Sequence, residues 1–305
     1  MTIASVIGLG SMGPGIAATL ARGGMTVRGY DNSEQAAGNA PALIATATSV
    51  LDSLGMPDQS TGEPVAIADD LESCVAGADL VIETVPEKLN LKLEILRRVD
   101  GLVSAECVLA SDTSGIPITK LQKGISNPGR IIGMHWSNPP HIIPIIEVIA
   151  GQNTCPLVTD WMVKTIKGLN LLPIVVKKDV PGFVENRVLY ALLRECVALV
   201  EDEVIEAEAL DTCVSWGIGY KLSVVGPMAL LDMAGLDIYQ AVGSYLNADL
   251  SARRDVSPYV TERTAQGDLG MKTGNGVYRY MPEQIGELRA ARAKKLVAVR
   301  KALQA

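Results

Sequence analysis

The stretch that decides the fold is Ile3–Ala18, which reads IASVIGLGSMGPGIAA. It starts with a short apolar run at 3–7, typical of a buried strand, and residues 12–23 then carry the pattern of a helix. A second apolar run at 25–30 predicts the next strand. The opening of the chain therefore predicts a βαβ unit with a glycine-rich turn between its first strand and its helix.

That turn fits the pattern G-x-G-x-x-G, with Ser11 and Met12 inside it. We expect Gly8 to allow a tight turn, Gly10 to let the backbone approach a pyrophosphate, and Gly13 to let the helix lie close to the strand. The phosphates would then lie at the positive N-terminus of the helix. The pattern alone is weak, but its place between a strand and a helix predicts dinucleotide binding.

Asp31 follows the second predicted strand and indicates which dinucleotide is bound. A carboxylate at this position accepts hydrogen bonds from the ribose 2′-hydroxyl and repels a 2′-phosphate. Neither Asn32 nor Ser33, which follow it, supplies a cation. The sequence therefore predicts NAD rather than NADP.

Strands and helices continue to alternate to about residue 180, which indicates a parallel sheet covered on both faces. The further predicted strands are 80–83, 107–111, about 130–135, about 144–149 and 172–177, and the further helices are 34–54, 88–101 and 156–169. Only helical patterns follow, at 183–201, 206–215, 227–248, 257–266 and 283–303. We predict an α/β fold: a Rossmann-like doubly wound sheet in a domain of residues 1–179, and an all-helical C-terminal domain of residues 180–305.

Composition narrows the classes of partner. The 305 residues carry a formal net charge of −7, so nucleic acid and anionic membranes are not expected partners. Five cysteines without a C-x-x-C pair, and no signal-peptide pattern, favour reduced thiols in a cytoplasmic protein. The basic amphipathic stretch 283–303 is compatible with a membrane-surface helix, although a helix packed on its own domain is the simpler interpretation.

A second cluster holds the two histidines of the chain, His135 and His141, and ends with Glu147 in a predicted strand. A His–Glu pair suits proton transfer coupled to hydride transfer, because the imidazole takes a hydroxyl proton while the carboxylate fixes its tautomer. A lone histidine is also often structural. A metal site of two histidines and one carboxylate is a further alternative.

Seven segments, in this order, resemble the 3-hydroxyacyl-CoA dehydrogenases and their short relatives over nearly the whole chain. They are Gly8–Ala17, Ala78–Glu87, Ser111–Thr119, His135–Pro140, Pro181–Arg187, Gly226–Leu236 and Lys272–Tyr280. The resemblance implies an NAD-dependent dehydrogenase. It also supports a homodimer formed through apolar helical faces of the second domain, such as Val188, Leu189, Leu192 and Leu193.

The resemblance also implies roles for individual residues. His135 would be the catalytic acid and base, Glu147 its partner, Ser114 a hydrogen-bond donor to the reacting oxygen, and Asn186 the residue that completes the site. The positions that match dinucleotide contacts are Asp31, Glu87, Lys92, Ser114, Asn138 and Lys272. Without the resemblance, solvated surface charge would be the simpler interpretation of the glutamate and the two lysines in that set.

Two departures from the family pattern bear on the substrate. The family commonly has two phenylalanines after the catalytic histidine, where this chain has Trp136 and Ser137. The family also has a lysine-rich helical arm that embraces CoA, whereas 29–87 contains no lysine or arginine here. Because CoA phosphates need cationic partners, we infer a small, CoA-free substrate.

Two segments, HWSNPPHIIPIIEVIAG (135–151) and KKDVPGFVENRVLYALLRE (177–195), resemble one CoA-free member that oxidises a small anionic pyridine aldehyde. The resemblance implies the same reaction here, with His135 deprotonating the hydrated aldehyde. Trp136 and Ser137 would line the ring pocket, the indole by stacking, and Arg187 would face the substrate carboxylate. The alternatives are a dehydrogenase for a 3-hydroxyacyl-CoA or a free 3-hydroxy acid, and a non-catalytic NAD-binding regulatory protein.

Overall fold

The computed structural model of the protein describes residues 2–304. The chain forms two compact units, Met1–Arg187 and Val188–Ala305. A sheet with flanking helices makes up the first unit and helices make up the second, which confirms the predicted fold class. The finer division at residues 179 and 180 stays a prediction.

The first unit is built on one eight-stranded sheet with the order β3-β2-β1-β4-β5-β6-β7-β8. The strands are β1 (Ile3–Ile7), β2 (Thr26–Tyr30), β3 (Ala66–Ile67), β4 (Leu80–Glu83), β5 (Val108–Ser111), β6 (Ile131–Trp136), β7 (Ile145–Ala150) and β8 (Leu172–Val176). From β1 the chain adds β2 and β3 on one side of the sheet. It then returns to the other side of β1, where β4 to β8 follow in order. Ligands of such sheets bind at this switch point, beyond the carboxyl ends of the strands.

One strand pair departs from the predicted parallel sheet. Strands β6 and β7 are antiparallel, while the other neighbouring pairs are parallel. The physical reason is the short connection of residues 137–144, because a parallel pair needs a crossover of a dozen or more residues. The antiparallel register places His135 directly opposite Glu147.

The helices of the first unit connect the strands of the sheet. They are α1 (Gly13–Arg22), α2 (Glu34–Ser53), α3 (Leu71–Val75), α4 (Leu89–Asp100), α5 (Ile118–Leu121) and α6 (Pro156–Gly168). Helix α1 is buried over most of its length, whereas α2 buries only Ala40, Ala47 and Leu51. Helix α2 contains no lysine or arginine and is not deeply packed.

Helix α7 (Glu185–Glu201) leads from the first unit into the second. The helices that follow are α8 (Ala207–Cys213), α9 (Tyr220–Leu222), α10 (Pro227–Ala234), α11 (Leu236–Asp249), α12 (Pro258–Ala265) and α13 (Pro282–Gln304), with a π-helical segment, Val214–Gly219, between α8 and α9. The single helix predicted at 227–248 is wrong, because Gly235 adopts a φ of 99° and separates α10 from α11. Left-handed backbone of this kind is open to glycine and ends a helix.

Several surface features of the chain bear on its partners. Val188, Leu189 and Leu193 are exposed in the second unit, so the expected dimer has apolar surface to use but stays a prediction. Within residues 2–304 no single helix is long and apolar enough to cross a membrane, and one bent pair, 207–222 with 227–234, meets the criteria of length and composition only. All five cysteines are free thiols.

Candidate active site

The glycine turn lies at the switch point, between β1 and α1. Gly8 has a φ of 101°, and a Cβ there would lie 2.8 Å from the carbonyl oxygen of Thr84. At Gly13 a Cβ would lie 2.0 Å from the carbonyl oxygen of Gly8, so the helix approaches the turn more closely than any side chain allows. At Gly10, in contrast, the space within 4 Å of a Cβ is open. The turn thus has two positions that need glycine for the fold and one that faces a space suited to a phosphate.

Asp31 is held beside this turn by two backbone donors. Its Oδ2 accepts from the Leu9 N–H at 2.7 Å, and its Oδ1 accepts from the Ser33 N–H at 2.8 Å. A cavity of about 270 Å³ opens here, lined by Leu9, Gly10, Ser33, Gln35, Ala36, Asn39 and Leu43. This lining contains no cation, so the geometry suits a ribose with free hydroxyls better than one with a 2′-phosphate.

A buried charge network follows β4. Glu83 is 0% exposed and Lys92 is 1% exposed. The Lys92 ammonium lies 2.8 Å from Glu83 Oε1, and the Ser111 hydroxyl donates to Glu83 Oε2 at 2.6 Å. Lys92 was expected to touch the dinucleotide, but in this conformation its ammonium is enclosed by Glu83, the Val85 carbonyl and Glu87. Buried charges of this kind need each other as partners.

Glu87 connects this network to the loop after β5. Its Oε1 accepts from the Thr113 hydroxyl at 2.6 Å and from the N–H groups of Ser114 at 3.1 Å and Gly115 at 3.0 Å. Burial opposes the charged carboxylate, but the hydrogen bond from Thr113 and the nearby Lys92 ammonium outweigh it and lower the pKa of Glu87. Lys92 and Glu87 together therefore fix the loop that carries Ser114.

His135 and Glu147 form the centre of the site. His135 Nδ1 lies 2.8 Å from Glu147 Oε2, and both side chains are buried. The other oxygen, Oε1, accepts from the N–H groups of Val184 at 2.9 Å and Glu185 at 3.1 Å. One carboxylate therefore orients the imidazole and is itself held by the chain at the start of α7, which leaves Nε2 as the nitrogen for a ligand.

The same hydrogen bond explains the charges of the pair. Burial alone would lower the pKa of His135 and raise that of Glu147, since each ion loses hydration. The hydrogen bond between them opposes this burial, with a further contribution from Asp112 on the histidine. The net effect is a raised pKa of His135 and a lowered pKa of Glu147.

Asp112 is a residue that the sequence analysis missed. It follows β5, is 8% exposed, and its Oδ1 accepts from the Trp136 N–H at 2.8 Å. Burial raises the pKa of Asp112 to about 7, despite the opposing hydrogen bond from Trp136. The position of Asp112, an acidic residue directly after a buried strand, could have indicated a site residue. Its hydrogen bond to Trp136 of β6 was not predictable, because it depends on β5 and β6 being neighbours in the sheet.

The chain before α7 brings Asn186 to the site. Gly182 and Phe183 have φ values of 75° and 48°, so the helix predicted from 183 begins only at Glu185. Asn186 Nδ2 donates to the Ser114 carbonyl at 2.6 Å. Phe183, the one phenylalanine of the chain, places its ring centroid 5.8 Å from that of His135. The structure thus joins Asn186 to the Ser114 backbone, and the same stretch of chain places the Phe183 ring next to His135.

The residues predicted to line the substrate pocket lie at the end of β6 and in the first turn of α7. The Trp136 side chain is 1% exposed, and the stacking of its ring on a substrate stays a prediction. Ser137 donates to Glu185 Oε1 at 2.6 Å. Asn138 lies next to these residues, exposed and in a cis peptide bond with Pro139, and the exposed Arg187 donates to the Pro181 carbonyl at 3.4 Å.

The alternative metal site with two histidines is wrong. His141 lies against α1, where a Cβ on Gly15 would approach its Nδ1 to 2.8 Å. Among the described residues, the side chains that gather within 4.8 Å are those of His135, Glu147 and Glu185. In this group the Nδ1 of His135 is already paired with Glu147. The remaining predicted residue, Lys272, lies in the second unit.

Two family profiles and several known proteins match the chain. The profile of the 3-hydroxyacyl-CoA dehydrogenase NAD-binding domain matches residues 3–180, and that of the family's C-terminal domain matches residues 182–280. The 5-formyl-3-hydroxy-2-methylpyridine 4-carboxylate 5-dehydrogenase of Mesorhizobium japonicum is 59% identical over 301 residues, which cover 98% of this chain and 97% of that protein. A probable 3-hydroxybutyryl-CoA dehydrogenase of Deinococcus radiodurans is 32% identical and covers 90% of this chain and 99% of its own.

A solved structure with high similarity matches the chain over its full length. It is the crystal structure of a 5-formyl-3-hydroxy-2-methylpyridine 4-carboxylic acid 5-dehydrogenase, described as an NAD⁺-dependent dismutase. Its TM-score is 0.97 at 58% identity, and the match covers 100% of this chain and 99% of that one.

Proposed function

The chain belongs to the 3-hydroxyacyl-CoA dehydrogenase family and is an NAD-dependent dehydrogenase, and from this premise we propose its substrate and its acid/base pair. The substrate is a small CoA-free aldehyde, 5-formyl-3-hydroxy-2-methylpyridine-4-carboxylate, which is oxidised to the dicarboxylate. His135 and Glu147 move the proton. The observation that carries the proposal is the buried 2.8 Å contact between His135 Nδ1 and Glu147 Oε2, which leaves Nε2 for a substrate hydroxyl.

The residues present fit NAD. The open space at Gly10 suits the pyrophosphate, and the carboxylate of Asp31, fixed by two N–H donors, suits the ribose hydroxyls. Glu87 and Lys92 contribute by fixing the loop that carries Ser114. When bound, NAD supplies the acceptor for the hydride that leaves the substrate carbon.

The chain's own part in the reaction is to hold and move a proton. The hydrated aldehyde is a geminal diol, and neutral His135 takes a proton from one of its hydroxyls at Nε2. Glu147 keeps Nδ1 protonated and stabilises the imidazolium that forms. Ser114 donates a hydrogen bond to the reacting oxygen, and Asn186 holds the Ser114 backbone in place. Loss of hydride from the same carbon then leaves the carboxylic acid.

The substrate proposal is supported by what α2 lacks. A CoA thioester brings phosphates that require cationic partners. The region 29–87, which includes α2, has no lysine or arginine. The protein from Mesorhizobium japonicum supports the same choice by its name and its 59% identity, whereas the 3-hydroxybutyryl-CoA relative is far less similar.

The test is a direct comparison of substrates. With NAD and the pyridine aldehyde, we expect NADH to form at 340 nm in proportion to the dicarboxylate. With NADH and acetoacetyl-CoA, turnover should be lower by at least about 100-fold in kcat/KM, since the charge contacts for CoA are missing. Comparable turnover of acetoacetyl-CoA would establish the alternative, and NAD binding without turnover of any substrate would favour a regulatory protein.

A further inference from the structure

Ser137 and Glu185 form a polar pair that the mechanism above does not use. Ser137 follows β6 and is 9% exposed, and Glu185 is the first residue of α7. The serine hydroxyl donates to Glu185 Oε1 at 2.6 Å. Glu185 Oε2 is also buried, and within residues 2–304 it has no hydrogen-bond partner. A buried carboxylate oxygen without a donor is costly unless something else supplies one.

The position of the Glu185 carboxylate connects it to the substrate. The side chains of Glu185, Glu147 and His135 each place an oxygen or ring nitrogen within 4.8 Å of the others. The reacting group of the substrate must come within hydrogen-bonding reach of His135. A ring substrate in that position brings a neighbouring edge of its ring to Glu185.

We propose that Glu185, held by Ser137, accepts a hydrogen bond from the protonated ring nitrogen of a hydroxypyridine substrate and so selects it over a carbocyclic aldehyde. This inference rests on the proposed function and adds the group that the enzyme recognises. An ionised carboxylate is an acceptor only, so its partner must be a donor. The contact joins two charged groups and is of the stronger, charge-assisted kind.

Apart from the reacting diol, the substrate offers one suitable donor. The 3-hydroxyl is adjacent to the 4-carboxylate and pairs with it within the molecule. The ring nitrogen is separated from the formyl-bearing carbon by a single ring carbon, on the side away from the 4-carboxylate. When the formyl group lies at His135, the ring N–H is therefore on the edge of the ring that a neighbouring acceptor such as Glu185 can reach.

The charge of Glu185 also fixes the orientation of the ring. If the ring turned over, its own carboxylate would face Glu185, and two like charges without water between them repel strongly. A purely structural role, as an acidic residue in the first turn of α7, would require only a negative charge near the helix N-terminus. Such a role would not require the hydrogen bond from Ser137, and it would not explain why Glu185 Oε2 is buried without a donor.

The test is Glu185→Gln, which keeps the size of the side chain and an oxygen for Ser137. Each protein is assayed with NAD on the pyridine aldehyde and on its benzene analogue, in which the ring nitrogen is replaced by C–H. We expect the wild type to prefer the pyridine by about 10- to 100-fold in kcat/KM. In the variant this preference should fall to within about threefold, mainly through a higher KM for the pyridine, with NAD affinity unchanged.

The matched control is Glu94→Gln, the same change at an exposed position of α4, which should keep the wild-type preference. If Glu185→Gln does not fold, Ser137→Ala tests the same pair and should reduce the preference in part. A wild type that oxidises both rings equally well, or a folded Glu185→Gln protein that keeps the full preference, would overturn the inference. A wild type inactive on the pyridine aldehyde would instead refute the proposed function.

Discussion

Replacing His135 with alanine should lower the turnover of the pyridine aldehyde by about 10²- to 10⁴-fold, the usual contribution of a positioned general base. The imidazole is buried at the end of β6 with Nδ1 committed to Glu147, so its Nε2 is the atom oriented to take the proton. The glycine turn and Asp31 lie outside this contact. NAD should therefore bind with unchanged affinity, measured by calorimetry, while steady-state kcat falls.

The matched control for this variant is His141→Gln, which alters the other histidine of the chain. His141 lies against Gly15 of α1 and outside the group formed by His135, Glu147 and Glu185. Its variant should keep nearly wild-type turnover. Full activity of the His135→Ala protein would contradict the assigned role, and equal losses in both variants would indicate a general effect on the fold.

Replacing Glu147 with glutamine should lower kcat by about 100-fold or more, since the imidazolium loses the carboxylate that stabilises it and fixes its tautomer. The amide oxygen of glutamine still accepts from the N–H groups of Val184 and Glu185, so the start of α7 should stay in place. The loss should therefore appear in kcat with little change in thermal stability, which a melting curve checks.

The Glu147→Gln variant also predicts a shift with pH. Neutral His135 is the base, so the oxidation rate rises as pH increases through the pKa of His135. The hydrogen bond to Glu147 raises that pKa by favouring the charged ring. Without the carboxylate the pKa falls, and the acid limb of the profile should move to lower pH. A limb that stays in place would show that Glu147 does not control the histidine.

Much of this site is predictable because its signals are local in sequence. The roles of Gly8 and Gly13 follow from a strand, a turn and a helix that are consecutive in the chain, and the structure gives each the expected close contact. The His135–Glu147 pairing was inferred from two adjacent predicted strands. Its register comes from the antiparallel pairing of β6 and β7, which the alternation of strands and helices did not reveal.

The contacts that the sequence did not predict join residues far apart in the chain. Glu83 pairs with Ser111, and Ser137 with Glu185, across elements whose neighbours are set by the strand order and by the start of α7. The burial of Trp136 likewise depends on which face of β6 is covered. Short pieces such as β3 and α3 carry too few residues for a periodic pattern.

The most direct test of the central claim follows the hydrogen of the formyl group. The wild-type protein is incubated with NAD and substrate deuterated at the formyl carbon, and both products are examined by mass spectrometry and NMR. The account predicts one deuterium in the reduced nucleotide for each dicarboxylate formed, because the hydride leaves the same carbon that His135 prepares. No labelled nucleotide, together with rapid reduction of acetoacetyl-CoA by NADH, would contradict it.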